Sequence, residues 1–457
     1  MIMSEVTISN TSQSVSRTFW RYAIPSILAM VVNGLYLVID GIFVGHYVGS
    51  DGLAGINMVI PVVAIITGIG VLIGMGGGSI VSQYRGEGKL ADADHTLKTG
   101  LWMILVTGVL GSLFLYSVSG WALEIQGAYG DPKQFATECL NIFTIGASLT
   151  IASSALPMLV RNDDSPNIST AFILIGALTN IALDYLFLAH LGMGLKGAAI
   201  ATLIAQAVTT LLSLGYFLSK YSEANVFGGQ FKWKLVWRTT ELGASTLVMF
   251  IYFGFVMALH NKLFMYYGDS THVAAFAIVG YIASIYYYFT EGIANGMQPP
   301  VSFYFGAKQF GKIKDTVKLA LSVSVGLGIV VTILLNIFPE AAISLFTTEN
   351  PALTTATKQG VQLHLLGISL DGFLFAASVY FMAIGMGGKA LFVSAGNMIV
   401  QLPFLLVLPK YFGVEGIWLS VPLSNLTLTL VVLPMVISSL RKLRSAEIEG
   451  ADSFQTV

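Results

Sequence analysis

The chain has 457 residues, of which 55% are hydrophobic and 10% charged, against about 25% charged in an ordinary soluble protein. That deficit excludes a water-soluble globular protein and makes the lipid bilayer the solvent. A formal net charge of −1 with no basic block argues against nucleic-acid binding, and a single cysteine, Cys139, excludes an intramolecular disulfide and a thiolate metal site.

Residues 1–18 read as a cytoplasmic tail. Through Ser16 the only charge is Glu5, unlike the basic start and short apolar core of a cleaved signal peptide. Beyond it, breaks at Gly, Pro, Asn and charged residues delimit twelve apolar spans. Each is near the ~20 residues that a helix needs to cross ~30 Å of hydrocarbon. The predicted spans are 19–47, 55–83, 97–120, 136–160, 167–190, 195–219, 241–267, 272–305, 316–338, 359–386, 390–410 and 414–440. Several are long enough to require tilt or kinks, with Pro25, Pro299 and Pro300 as the kink sites.

The first span carries Asn33, Tyr36, Leu37 and Asp40 on one helical face. Within the second, "GIGVLIGMGGGS" (Gly68 to Ser79) lies mid-membrane, where its glycines serve helix packing and not nucleotide binding. The fifth sets Asp184 into "TNIALDYLFLAHLGMG", with Asn180 one turn earlier on the same face. The sixth opens with a small-residue ridge, Gly197, Ala201 and Ala205, and carries Thr202. Asp40, Asp184 and Thr202 all lie about six or seven residues from the outer edge, roughly 10 Å deep at 1.5 Å per residue.

A common depth allows the three to cluster. An ionisable group in hydrocarbon costs several kcal/mol and therefore faces a protein interior or a water-filled cavity. Two carboxylates at low dielectric repel. A proton relieves that repulsion, and so does a sodium ion held with the Asn180 and Thr202 oxygens. The competing reading is a hydrogen bond between helices with no further role.

Between the sixth and seventh spans, residues 220–240 are polar and basic with Trp233 and Trp237, and read as a cytoplasmic linker at the membrane interface. Later acids are few. Glu291 in the eighth span and Asp371 in the tenth either bind a cationic substrate or neutralise a neighbour, whereas His260 and His364 read as structural. Residues 441–457 form a second cytoplasmic tail.

Of the 23 Lys and Arg residues, all but Lys133, Lys196, Lys262, Lys358 and Lys410 fall near one face of the membrane. The positive-inside rule then makes both termini cytoplasmic. A shift of 220 residues brings Gly76, Ser82, Tyr84, Gly86, Thr96 and Lys98 onto Gly296, Ser302, Tyr304, Gly306, Thr316 and Lys318, and a shift of 219 pairs Gly194 and Gly197 with Gly413 and Gly416. Six spans per copy give parallel repeats, 19–219 and 241–440, related by an axis along the membrane normal. Asp40 then lies opposite Leu259 or His260, and Asp184 opposite Pro403, so the acid pair belongs to the first copy alone.

"LVRNDDSPNISTAFILIGALTNIALDYLFL" (Leu159 to Leu188), "YRGEGK" (Tyr84 to Lys89), "GMQPPVSFYFGAK" (Gly296 to Lys308) and "GLKGAAIAT" (Gly194 to Thr202) together resemble the multidrug and toxic compound extrusion (MATE) family, in its DinF-like branch. The resemblance covers nearly all the chain after the first tail. It implies an all-α polytopic membrane protein with two six-helix bundles, working by alternating access as a cation-coupled multidrug efflux antiporter. It also implies a coupling site at Asp40, Asn180, Asp184 and Thr202, with bending of the first helix near Pro25. No cofactor is implied beyond the coupling ion, H+ or Na+, with the proton favoured. Amphipathic or cationic drugs are the implied substrates, and a multi-pass monomer in the plasma (inner) membrane is the implied state. A lipid or lipid-linked oligosaccharide flippase is the alternative, disfavoured because the basic residues fall near membrane edges. An intramembrane enzyme is less favoured still, as no hydrolase or protease motif is present.

Overall fold

The computed structural model describes residues 14–346 and 350–449, so the outer parts of both expected tails, 1–13 and 450–457, lie outside the described residues. Among the described residues the chain is helix and connecting turn, with no strand. Hydrocarbon imposes this choice, because a helix satisfies its backbone donors and acceptors without water.

The helices are α1 (Val15–Tyr47), α2 (Ser50–Gly86), α3 (Leu90–Ile125), α4 (Gly130–Asn162), α5 (Pro166–Asp184) and α6 (Gly194–Phe217). After a linker come α7 (Trp233–Tyr267), α8 (Ser270–Gly306), α9 (Phe310–Ile337), the short α10 (Pro339–Ile343), α11 (Pro351–His364), α12 (Ile368–Ala383) and α13 (Gly387–Glu449). A 3-10 turn, Leu365–Gly367, joins α11 to α12. The helices overrun the apolar spans by several residues, as α3 does by starting at Leu90 and not at 97. Polar turns such as the one bearing Asp92 and Asp94 continue the helix into water, beyond the reach of hydropathy. For the same reason the expected linker is helical from Trp233 onward.

Among the described residues eleven runs are long and apolar enough to cross a membrane, against the twelve expected spans. The last, Gly387–Ser445, has 59 residues, and straight would reach about 90 Å, three times the hydrocarbon thickness. It leaves helical geometry at Gly413 (φ 55°, ψ −132°). A Cβ on Gly416 would come within 2.7 Å of the Pro409 nitrogen, although seven residues advance about 10.5 Å along a straight helix. Spans eleven and twelve are thus two arms of a hairpin. The expected kink prolines, by contrast, do not end their helices: α1 runs through Pro25, and α8 through Pro299 and Pro300.

Two compact units emerge among the described residues, one of Leu28–Ile251, the other of the stretch that ends at Ile27 together with the residues from Tyr252 onward. The divisions fall inside α1 and α7, so residues expected in one copy group with the other. Matched glycines give the reason. A Cβ on Gly76 of α2 would lie 2.9 Å from the Gly243 nitrogen of α7, and one on Gly296 of α8 would lie 2.8 Å from the Ala23 nitrogen of α1. Each bare glycine thus seats the first part of the long helix that opens the other repeat. Arg238 of α7 also donates to Gln83 of α2 at 2.8 Å.

The repeat is written in the backbone as well. Left-handed φ angles recur at Gly88 (74°) and Lys308 (56°), at Asp164 (60°) and Gly385 (79°), and at Gly194 (61°) and Gly413 (55°). Ser82 Oγ reaches the Asn162 carbonyl at 3.5 Å, and Ser302 Oγ reaches that of Ala383 at 3.0 Å. The first unit's core is an apolar cluster including Val59, Ile66, Leu140, Ile151 and Leu195; the second unit's includes Phe264, Phe276, Tyr286, Leu365 and Trp418.

Candidate functional site

Asp184 is the last residue of α5 and abuts a π-helical turn, Tyr185–His190. Such turns are rare and concentrate at functional sites. The Phe43 ring of α1, one turn past Asp40, lies 6.4 Å from that of Tyr185, so the aromatic contact brings the ends of α1 and α5 together where their acids occur. The surface of Asp184 is 0% exposed, that of Asn180 2% and that of Asp40 8%. These polar groups therefore face protein and not lipid.

The Asp40 and Asp184 carboxyl groups face each other closely enough for one to bond to the other. Such a bond needs a proton, because two carboxylates have no donor between them. Asn180 Nδ2 donates to Thr202 Oγ1 of α6 at 3.3 Å. The amide's other face is unused: Asn180 Oδ1, Asp40 Oδ1 and both Asp184 oxygens are buried, and apart from the carboxyl contact have no partner among the described residues. Buried acceptors are normally satisfied. A group of orphaned oxygens is a place where a proton or a hard cation lowers the energy.

The other expected residues are placed less tightly. Asn33 and Tyr36 are partly buried on α1, while Leu37 of the same expected face is exposed. Pro25 is grouped with the second unit, as are Glu291 and Asp371. Glu291 is partly buried on α8, with Tyr288 near its charge. Asp371 differs in kind from the acid pair, because each oxygen has a donor: Tyr287 Oη at 3.1 Å and Asn425 Nδ2 at 2.7 Å. Close by, Tyr252 Oη donates to Gln401 Oε1 at 2.8 Å. Asn425, an amide within the apolar last span, was a signal available to sequence reasoning; Tyr287, inside "YYYF", was not.

His260 stacks on Phe276 with centroids 4.8 Å apart and gives its Nδ1 to the Val256 carbonyl at 2.9 Å. Its ring stands perpendicular to that of His364 at 5.9 Å. Both histidines belong to an aromatic core with Phe264 and Trp418.

Two segments, 25–186 and 245–407, match the family model described as MatE. The multidrug export protein MepA of Staphylococcus aureus (strain MSSA476) is 23% identical over 408 residues, 88% of this chain and 89% of the relative. MepA of Staphylococcus haemolyticus (strain JCSC1435) is 22% identical over 432 residues, 94% of each. Among solved structures, an outward-facing multidrug resistance MATE family transporter of the MOP superfamily superposes with a TM-score of 0.89 at 21% identity, covering 96% of this chain and 98% of that one. A MOP superfamily transporter from Pyrococcus furiosus, described by a reverse polarity of its binding pocket that suggests a different function, gives the same score, identity and coverage. The structural matches establish the fold: two bundles making twelve transmembrane helices.

Proposed function

Because this chain belongs to the MatE family, its two matched segments together covering well over half of its length, we propose that it is a cation-coupled exporter of amphipathic or cationic drugs. Drug export comes from its relatives, named as multidrug export proteins and not as enzymes. The coupling site is Asp40, Asn180, Asp184 and Thr202. The observation that supports it is the group of buried oxygens without donors around the two touching carboxyl groups.

Electrostatics then sets the sequence of events. With both carboxyl groups ionised, the pair repels in a low-dielectric setting. A proton arriving from outside bridges the pair and removes the repulsion, which favours release of the drug; losing that proton inward restores the repulsion and resets the site. A proton fits the carboxyl contact directly, and this is why it is favoured. Sodium is the alternative ion, held by the same carboxylates with the Asn180 and Thr202 oxygens. The gradient supplies the energy, and no cofactor enters.

The protein is a multi-pass monomer of the plasma (inner) membrane with both termini cytoplasmic, and it belongs to the DinF-like branch; the motifs support the branch and the charge distribution the orientation. The test is export from proteoliposomes under a pH gradient alone and a sodium gradient alone, for the unaltered protein and for Asp184→Asn. Export driven by the pH gradient and lost in the variant supports the reading. Undiminished gradient-driven export by the variant sinks it.

A further inference from the structure

The buried charges at the other end of the first unit belong to no part of this site. Arg85, in the last turn of α2, ion-pairs with Asp163, just past α4, and the two are 6% and 2% exposed. Its other guanidinium nitrogen lies 3.5 Å from Glu223 of the linker. Asp163 Oδ2 in turn accepts from Tyr216 Oη of α6 at 2.7 Å, Ser222 Oγ at 3.0 Å and the Glu223 backbone N–H at 3.1 Å. One carboxylate therefore joins the ends of three helices to the start of the linker.

The rest of the linker is held along α3. The Asn225 N–H donates to Asp94 Oδ1 at 2.8 Å, the Gln230 N–H to His95 Nδ1 at 2.9 Å and the Lys232 N–H to Thr99 Oγ1 at 3.1 Å. Lys232 Nζ lies 3.2 Å from Asp92. Between these anchors Val226 enters the first unit's apolar core. Gly229 approaches α3 so closely that a Cβ there would fall 2.8 Å from that of Lys98. A free tether gives its backbone donors to water and has no buried side chain. This segment does the opposite at five positions along its length.

We propose that residues 222–232 are a strap clamped to the first unit through the Arg85–Asp163 pair, and not a flexible tether between the repeats. The strap stays on α3 throughout the transport cycle. Flexing during transport is absorbed elsewhere in the chain.

Two measurements on the full-length protein in membranes test this. In a Cys139→Ala background, Asp94→Cys and Asn225→Cys are joined by a short bismaleimide. Export by the linked protein should match that of the same variant left unlinked, since the strap never departs. Loss of most export on linking would overturn the proposal. Second, tryptic cleavage after Lys232 should be at least about tenfold faster in Asp163→Asn, because the opened fraction sets the cleavage rate and a broken buried pair favours opening. The paired change Ser222→Ala with Glu223→Ala should speed cleavage less, and it leaves the helices untouched should Asp163→Asn fail to fold. Equal cleavage of the unaltered protein and of every folded variant would also overturn it. Each comparison is made under one gradient, so its outcome is independent of which ion drives export and of the roles of Asp40 and Asp184.

Discussion

Asp184 and Asp371 are both acids within apolar helices, yet their surroundings oppose each other. Asp371 has a hydroxyl and an amide donor, one for each oxygen; Asp184 has only a second acid. Replacing an acid by its amide therefore acts differently at the two sites. Asp184→Asn removes a like-charge repulsion and keeps the volume. Export should fall by at least about tenfold, the loss expected when an intramembrane ionisable group carries function, while the thermal transition in detergent stays level or rises. Efflux and thermal-shift measurements on one preparation check both halves. Asp371→Asn leaves one acceptor oxygen for two donors, so either Asn425 or Tyr287 loses its acceptor, and should lower the transition by an amount equivalent to about 1–3 kcal/mol.

At the scale of elements, close helix approach rests on glycines with a defined neighbour. Gly76→Val and Gly296→Val would drive a side chain into the backbone of α7 and α1 respectively. Each should cost about 1–3 kcal/mol by overpacking, read as a lower thermal transition. Gly88→Val, at a left-handed position with open space around it, should be destabilising through its backbone alone. The start of α8 gives a pH dependence. Asp269 caps it by accepting from the Thr271 and His272 N–H groups at 2.9 and 3.2 Å. The His272 ring beside it, above all, holds the Asp269 carboxyl below the usual carboxylate range. A depressed carboxyl stabilises the fold above its ordinary pKa, and that contribution is lost as pH falls through the lowered value. Asp269→Ala should therefore lower the thermal transition at neutral pH, and the difference from the unaltered protein should vanish in strong acid.

For the whole molecule, the predicted orientation follows from charge alone and is open to a direct check. A reporter fused after Val457 should be active only if it functions in the cytoplasm, and maleimide labelling of a Lys410→Cys variant in a Cys139→Ala background should occur from outside intact cells. The reverse pattern would invert the proton path proposed for Asp40 and Asp184.

Composition sufficed for an all-helical membrane protein, since hydrocarbon leaves a chain this apolar few other ways to satisfy its backbone. The repeat was legible from matched residues 220 apart, and the acid pair from a shared depth, because both are properties of position along the chain. Partnership across the chain was not. That Gly76 and Gly296 seat helices from the opposite repeat, that Asp163 gathers a buried arginine and the linker, and that Tyr287 and Asn425 satisfy Asp371 depend on contacts between distant segments. Periodicity describes one helix face at a time and says nothing of what meets it; only packing, where each buried polar group must find its partner, decided those contacts.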